Sequence, residues 1–174
     1  MTRRQQRDRG FGEYVAERRG HLYRTAYLLC GDPHRAEDIV QQALTRLYVA
    51  WPRASRVDSV DAYARRIVVN AHIDDTRRPW RRERPMEADP GSALDRPVEQ
   101  RVTPEDSDAL WSALRGLAPG QRRVVVLRHF WGLSVEETAA DLGISPGTVK
   151  SQTADALARL REALSVAATP GEHR

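Results

Sequence analysis

Residues 134–164 read SVEETAADLGISPGTVKSQTADALARLREAL, and this stretch decides the fold. Ser134, followed three residues later by Glu137, is a capping box, which opens a helix by satisfying two of its free amide donors. Gly143 marks where that helix stops, because glycine enters the left-handed conformation without steric cost. Ser145 and Pro146 then open a second helix. With Val135 as the first position of a two-helix motif, the small Ala139 falls fifth, Gly143 ninth and Val149 fifteenth. That is helix-turn-helix spacing. Ala139 lets the two helices cross closely, Gly143 makes the tight turn, and Ile144 and Val149 lock the second helix on the first. The eighteenth position, usually apolar in such motifs, is Gln152.

In this motif the second helix enters the major groove of DNA. Its outward residues are Gly147, Thr148, Lys150, Ser151, Gln152 and Asp155, with Arg159 further along. Gln and Ser can read base edges, and Lys150 can hold a phosphate.

Working upstream, Thr103, Pro104, Glu105 and Asp106 form a helix start with a proline at its first position and acids in its first turn. Leu110, Leu114 and Leu117 follow on one face, expected inward. Pro119 and Gly120 break the chain, and a helix bearing Val124, Leu127 and Phe130 runs on until Gly132. Leu157, Leu160 and Leu164 are expected to face inward from the last helix. Before this half lies a stretch with Pro85, Pro90, Pro97, Pro104 and Gly91, which cannot sustain a helix and reads as a linker.

Residues 11–78 are helical in pattern. Ala36, Ile39, Val40, Ala43, Leu44 and Leu47 recur at helical spacing. Trp51 extends that apolar face and Pro52 is expected to stop the helix. The opposite face carries Glu37, Asp38, Gln41 and Gln42, which the residues alone describe only as a solvated surface. A second helix, from about Ala62 to Thr76, has Tyr63, Ile67 and Ala71 on one side and Arg65, Arg66 and Asn70 on another. Arg77, Arg78, Arg81, Arg82 and Arg84 then gather around Trp80, a combination that suits phosphates and exposed bases. The expected fold is all-α: two small helical domains joined by a flexible Pro-rich linker. The boundaries are a basic, disordered arm at 1–10, a first domain at 11–80, the linker at 81–104, a second domain at 105–165 and a tail at 166–174.

Composition agrees with a nucleic-acid partner. The chain has 174 residues, a net charge of +4 and a sequence pI near 9.7. Its cations are 27 arginines and one lysine, Lys150, a bias that suggests a GC-rich genome. Arginine can still grip phosphate or guanine through two parallel bonds. No apolar run approaches the roughly 20 residues that span a bilayer, and no apolar stretch follows the N-terminal charges, so a cytoplasmic location is expected. Cys30 is the only cysteine; it sits beside Leu28 and Leu29, which points to a buried thiol. The histidines at 21, 34, 72, 129 and 173 have no ligand spacing, and His34 with Glu37 is one pair where a metal needs three or four ligands. There is no phosphate loop and no nucleophile elbow. No catalytic residue, metal or cofactor is expected.

Three blocks resemble one known family, the extracytoplasmic-function sigma factors of RNA polymerase. AEDIVQQALTRLYVAW (36–51) looks like the core of sigma region 2, and AYARRIVVNAHIDDTRR (62–78) resembles its promoter-reading helix. LAPGQRRVVVLRHFWGLSVEETAADLGISPGTVKSQTADALARLR (117–161) is similar to sigma region 4. Only a linker separates them, with no region 3 domain. AYLLCGDPHRAED and the Gln of GTVKSQ look closest to an actinobacterial subgroup. The resemblance implies a factor that binds core RNA polymerase, directs it to −10 and −35 promoter elements and helps to melt DNA. Glu37, Asp38 and Gln41 would dock on the clamp helices of the largest subunit. The segment Trp51 to Asp61 would capture a flipped −10 base, at an extrusion cost of a few kcal/mol. Trp51 would contact the −10 element from that loop, and Tyr63, Arg66, Asn70, Arg77 and Arg78 would hold the opened strand. Thr148, Lys150, Ser151 and Gln152 would read the −35 element, with Arg159 beside them as either a clamp on the DNA backbone or a surface residue. The first two helices of region 4 would hold the flap of the second-largest subunit, and an anti-sigma factor is an expected partner. Asp155 departs from the family, which usually carries a basic residue there, and it would weaken −35 affinity. The other reading of the same motif is a stand-alone helix-turn-helix repressor or activator, which would bind duplex DNA without polymerase.

Overall fold

The computed structural model describes residues 1–77 and 104–167, with side chains for 1–77 and 110–166. Every regular element among them is helical: α1 (Arg3–Cys30), α2 (Pro33–Ala54), α3 (Val60–Thr76), α4 (Pro104–Arg115), α5 (Pro119–Val125), α6 (Val135–Leu142) and α7 (Pro146–Ala167). The chain divides into two units, Met1–Val98 and Glu99–Arg174.

In the first unit α1, α2 and α3 pack pairwise. Leu22, Ala26 and Leu29 of α1 meet Ile39, Val40, Ala43 and Leu47 of α2 and Val68, Val69 and Ala71 of α3 in one buried core. Asp32 caps α2, accepting from the Arg35 N–H at 2.8 Å, and Ser59 caps α3, accepting from the Ala62 N–H at 3.1 Å. Gly31, at φ 71°, turns the chain between α1 and α2. Four ion pairs stitch the helices together: Arg18 with Asp61, Arg19 with Glu37, Arg46 with Asp74, and Arg35 with the buried Asp75.

Three expectations are corrected here. The arm at 1–10 is not disordered. Thr2 and Gln5 form a capping box, and α1 begins at Arg3. The arm is held because Phe11 packs edge-on against Tyr48 and Trp51, and Arg7 donates to the Tyr48 hydroxyl at 2.6 Å. Pro52 does not stop α2, which runs to Ala54. A proline deletes one helical bond, but Trp51 and Ala54 are both buried one turn apart, and Ser55 N–H still reaches the Trp51 carbonyl at 2.9 Å. Arg65, placed on the polar side of α3 by pattern, is buried.

The second unit is built around Val124, Ala139 and Val149, with Val135, Leu142 and Ile144 packed against them. The Ser134–Glu137 capping box is present, with bonds of 2.7 and 3.0 Å, and Gly143 has φ 65°. Arg122 reaches back from α5 to the carbonyls of Leu114, Arg115 and Leu117, closing the end of α4. Leu114 and Leu117 are buried, but Leu110 and Leu164, expected inward, are exposed. Beyond α5 the chain does not stay α-helical. Val126–Phe130 forms a π-helical turn, closed by Trp131 N–H to Val126 carbonyl at 3.1 Å. Arg128 caps the following turn by donating to the Leu133 carbonyl.

Candidate nucleic-acid interface

Tyr63, Arg66, Asn70 and Arg77 of α3 and its C-cap fall at intervals of three, four and seven residues, which puts them on one stripe of the helix. Arg66, Asn70 and Arg77 are exposed and Tyr63 is half-buried. Arg78, Trp80 and the arginines after them lie outside the described residues, as does the linker before Pro104. Asp74 is exposed on the same stripe, and Arg46 of α2 covers its carboxylate at 3.2 Å.

Trp51 is not on this surface. It is 8% exposed, ringed by Phe11 at 5.4 Å and Tyr14 at 5.5 Å between centroids. Stacking on a base is closed to it; its role is to seat α1 on α2. Beside it lies a feature that sequence pattern did not signal, an open cleft of about 300 Å³ between α1 and the α2–α3 loop. Tyr14, Glu17 and Arg18 line one side, and Asp58, Ser59, Val60 and Asp61 the other. Arg18 and Tyr14 both bond Asp61, at 2.9 and 3.0 Å, which fixes the loop. Burial, and then the neighbouring Asp61 carboxylate, push the Tyr14 phenol above its ordinary pKa, so it stays a proton donor.

On α2, Asp38 and Gln41 are exposed. Glu37 is half-buried and engaged: Arg19 of α1 pairs with it, and Gln41 donates to it at 3.4 Å. This face therefore exposes Asp38 and Gln41, with Glu37 half-buried and already neutralised in part.

On α7, Lys150, Ser151, Asp155 and Arg159 are exposed and Thr148 is half-buried. Ser145 Oγ accepts from the Thr148 N–H at 3.1 Å and lies 2.8 Å from its hydroxyl, which orders the first turn. Gln152 turns the other way. A Cβ placed on Gly120 of α5 would lie 3.2 Å from its amide nitrogen, and its Oε1 is buried without a hydrogen-bond partner. It occupies the inward place that an apolar residue usually takes in this motif.

Two family models match the chain: "Sigma-70 region 2" over residues 14–82 and "Sigma-70, region 4" over residues 107–160. An RNA polymerase sigma-E factor of Streptomyces coelicolor is 46% identical over 154 residues, spanning 88% of this chain and 85% of the relative. An ECF RNA polymerase sigma factor SigM of Mycobacterium tuberculosis is 35% identical over 152 residues, spanning 84% and 74%. The fold matches the sigma factor RpoE of Bartonella quintana, solved with the anti-sigma factor NepR, at a TM-score of 0.72 and 25% identity, covering 90% of this chain and 98% of that one. It also matches CnrH, solved with the cytosolic domain of CnrY, at a TM-score of 0.62 and 27% identity, covering 93% and 91%. The chain belongs to the sigma-70 family of RNA polymerase sigma factors, in its extracytoplasmic-function branch.

Proposed function

We propose that this chain recruits core RNA polymerase to specific promoters, using α3 on the −10 element and α7 on the −35 element, without a catalytic site of its own. The observation that carries the reading is the exposed Arg66–Asn70–Arg77 stripe, with Tyr63 beside it, in the same chain as the helix-turn-helix. A repressor has use for the second of these and none for the first. The cleft between α1 and the α2–α3 loop suits an extruded base, since its polar walls offer donors and acceptors to a Watson–Crick edge. Thr148, Lys150, Ser151 and Arg159 remain the −35 contacts; Gln152 supports them from inside. Asp38 and Gln41, with Glu37 behind them, are the docking face for the clamp helices, and α4 and α5 hold the polymerase flap. Charge and the absence of a spanning helix among the described residues favour action in the cytoplasm. One solved neighbour was captured with an anti-sigma factor and another with the cytosolic domain of CnrY, and an anti-sigma partner fits this chain as well.

In vitro transcription with core polymerase and a promoter library tests the assignment. Run-off products that require both proteins, and that fade with Asn70→Ala or Lys150→Ala, are the expected result. Tight duplex binding by the chain alone, with no product, would establish the repressor reading.

A further inference from the structure

The α1–α2 hairpin has a strongly cationic end that neither the −10 stripe nor the docking face uses. Helix α1 runs antiparallel to α2, as Arg19 meets Glu37 while Arg7 meets Tyr48 and Gly10 lies against Trp51. The first turns of α1 therefore lie toward the end of α2 and the loop after it. Arg3, Arg4, Arg9, Arg53 and Arg56 are all exposed there. Arg4 and Arg9 have i,i+4 partners in Asp8 and Glu13, at 3.8 and 2.9 Å. Among the described residues no carboxylate lies within ion-pair distance of Arg3, Arg53 or Arg56.

The arm is also built to stay in place. Tyr48 accepts from Arg7 at 2.6 Å and donates to Asp8 at 2.7 Å, while the Arg7 guanidinium lies 4.5 Å over its ring. The Tyr48 hydroxyl holds the Asp8 carboxyl below its usual pKa, so the carboxylate that accepts from Tyr48 is ionised at neutral pH. A solvated end of a hairpin needs no such bracing.

The adjoining cleft is a poor phosphate site, because Glu17, Asp58 and Asp61 outnumber Arg18 along its walls. A nucleotide whose base entered it would keep its phosphates at the rim. Arg53 and Arg56 lie within a few residues of Asp58 along the chain, on the cationic side.

We propose that Arg53 and Arg56 at the end of α2, with Arg3 and Arg4 of α1 roughly 15–22 Å up the helix from the cleft-lining Tyr14 and Arg18, form a second DNA contact that holds backbone phosphates beside, and a few nucleotides beyond, the nucleotide captured by the α2–α3 loop. This rests on the sigma-factor reading of that loop. The partner is recognised by charge alone, so the contact adds affinity without altering sequence preference.

The test is promoter binding by the holoenzyme across a salt series. Each phosphate contact contributes about 0.9 to the slope of log Kobs against log salt on duplex DNA, and about 0.7 on a single strand. Arg3→Gln with Arg4→Gln, and separately Arg53→Gln with Arg56→Gln, should each flatten the slope by about 1 to 2. Lysine at the same positions should restore it. Relative affinities among −10 variants, and affinity for core polymerase, should stay as in the wild type. An unchanged slope in both pairs overturns the contact, as does a weakened grip on core polymerase that accounts for the whole loss. Asn70→Ala run alongside separates the two layers. If it abolishes promoter selectivity while both arginine pairs leave the slope intact, only this inference fails. If the wild-type holoenzyme shows no promoter selectivity, the sigma reading fails with it.

Discussion

Arg18 of α1 holds Asp61 of α3 by a two-pronged ion pair, Nε to Oδ1 at 2.9 Å, and Tyr14 donates to the same oxygen at 3.0 Å. The clamp joins the two sides of the cleft and sets the path of the loop between α2 and α3. Both side chains are about one-third exposed, so solvent screens the pair and its worth to stability is about 0.5–1 kcal/mol. Asp61→Ala should therefore cost little in thermal unfolding. Promoter opening, followed with 2-aminopurine in the −10 element, should fall much further than binding to core polymerase, because the loop is then no longer held for the base. Equal losses in both would show that the clamp serves only the fold.

Asp74 shares a stripe with Arg66, Asn70 and Arg77, and among the described residues Arg46 is the one cation that masks it from an approaching phosphate. Arg46→Ala should weaken promoter binding roughly two- to fivefold, the effect of up to about 1 kcal/mol. Asp74→Asn in the same background should recover most of that loss. Failure of the second change to rescue would assign Arg46 a direct DNA contact instead.

Gln152 carries a buried oxygen with no hydrogen-bond partner. Such a group costs about 1–3 kcal/mol. Gln152→Leu should stabilise the second unit by about 1 kcal/mol in urea unfolding, with base preference at −35 unchanged. A shift in that preference would mean that the side chain turns outward on DNA.

Cys30 is buried, and that burial pushes its thiol up to about 11 from 9.0. A reactive thiolate is thus withheld at neutral pH, and alkylation of the native chain at pH 8 should be far slower than after unfolding. The sign for stability comes from linkage. A pKa raised on folding leaves stability intact below about 9 and erodes it as pH climbs from 9 toward 11, by roughly 2–3 kcal/mol. Cys30→Ala should flatten that part of the pH profile. Rapid labelling of the native protein would contradict the burial.

The helix-turn-helix was legible because its constraints are local. Ser134 and Glu137 are three residues apart, Gly143 answers to its own backbone, and Ala139 and Val149 repeat at helical spacing. The resemblance also located the α3 stripe. The features that escaped depend on contacts between residues far apart in the chain. Nothing near Trp51 announces that Phe11 and Tyr14 enclose it, and the arm looks solvated until Tyr48 is placed beside Arg7. Gln152 is polar by type and inward by position, a conflict that only the distance to Gly120 resolves. Tyr14, Arg18 and Asp61 are spread over 47 residues, and no spacing rule could gather them. Arg65 fell on the wrong side because a helix with neighbours on two faces has a narrower solvent arc than its pattern implies.

The π-helical turn at Val126–Phe130 has a consequence for insertions and deletions. A π turn accommodates one residue more than an α turn, so its last residues are rotated by one step, about 100° for a helix of 3.6 residues per turn, from where an α-helical turn would put them. Trp131 to Ser134, which follow, are not helical, so the π turn decides the direction in which the chain leaves this helix. Removing one residue there would make a more regular helix and a worse protein: Arg128 would swing away from the Leu133 carbonyl, and the Ser134 cap would enter α6 from the wrong side. The irregular turn acts as a spacer that sets where the chain leaves α5, and a natural variant one residue shorter at this point would need a compensating change in the turn before Ser134.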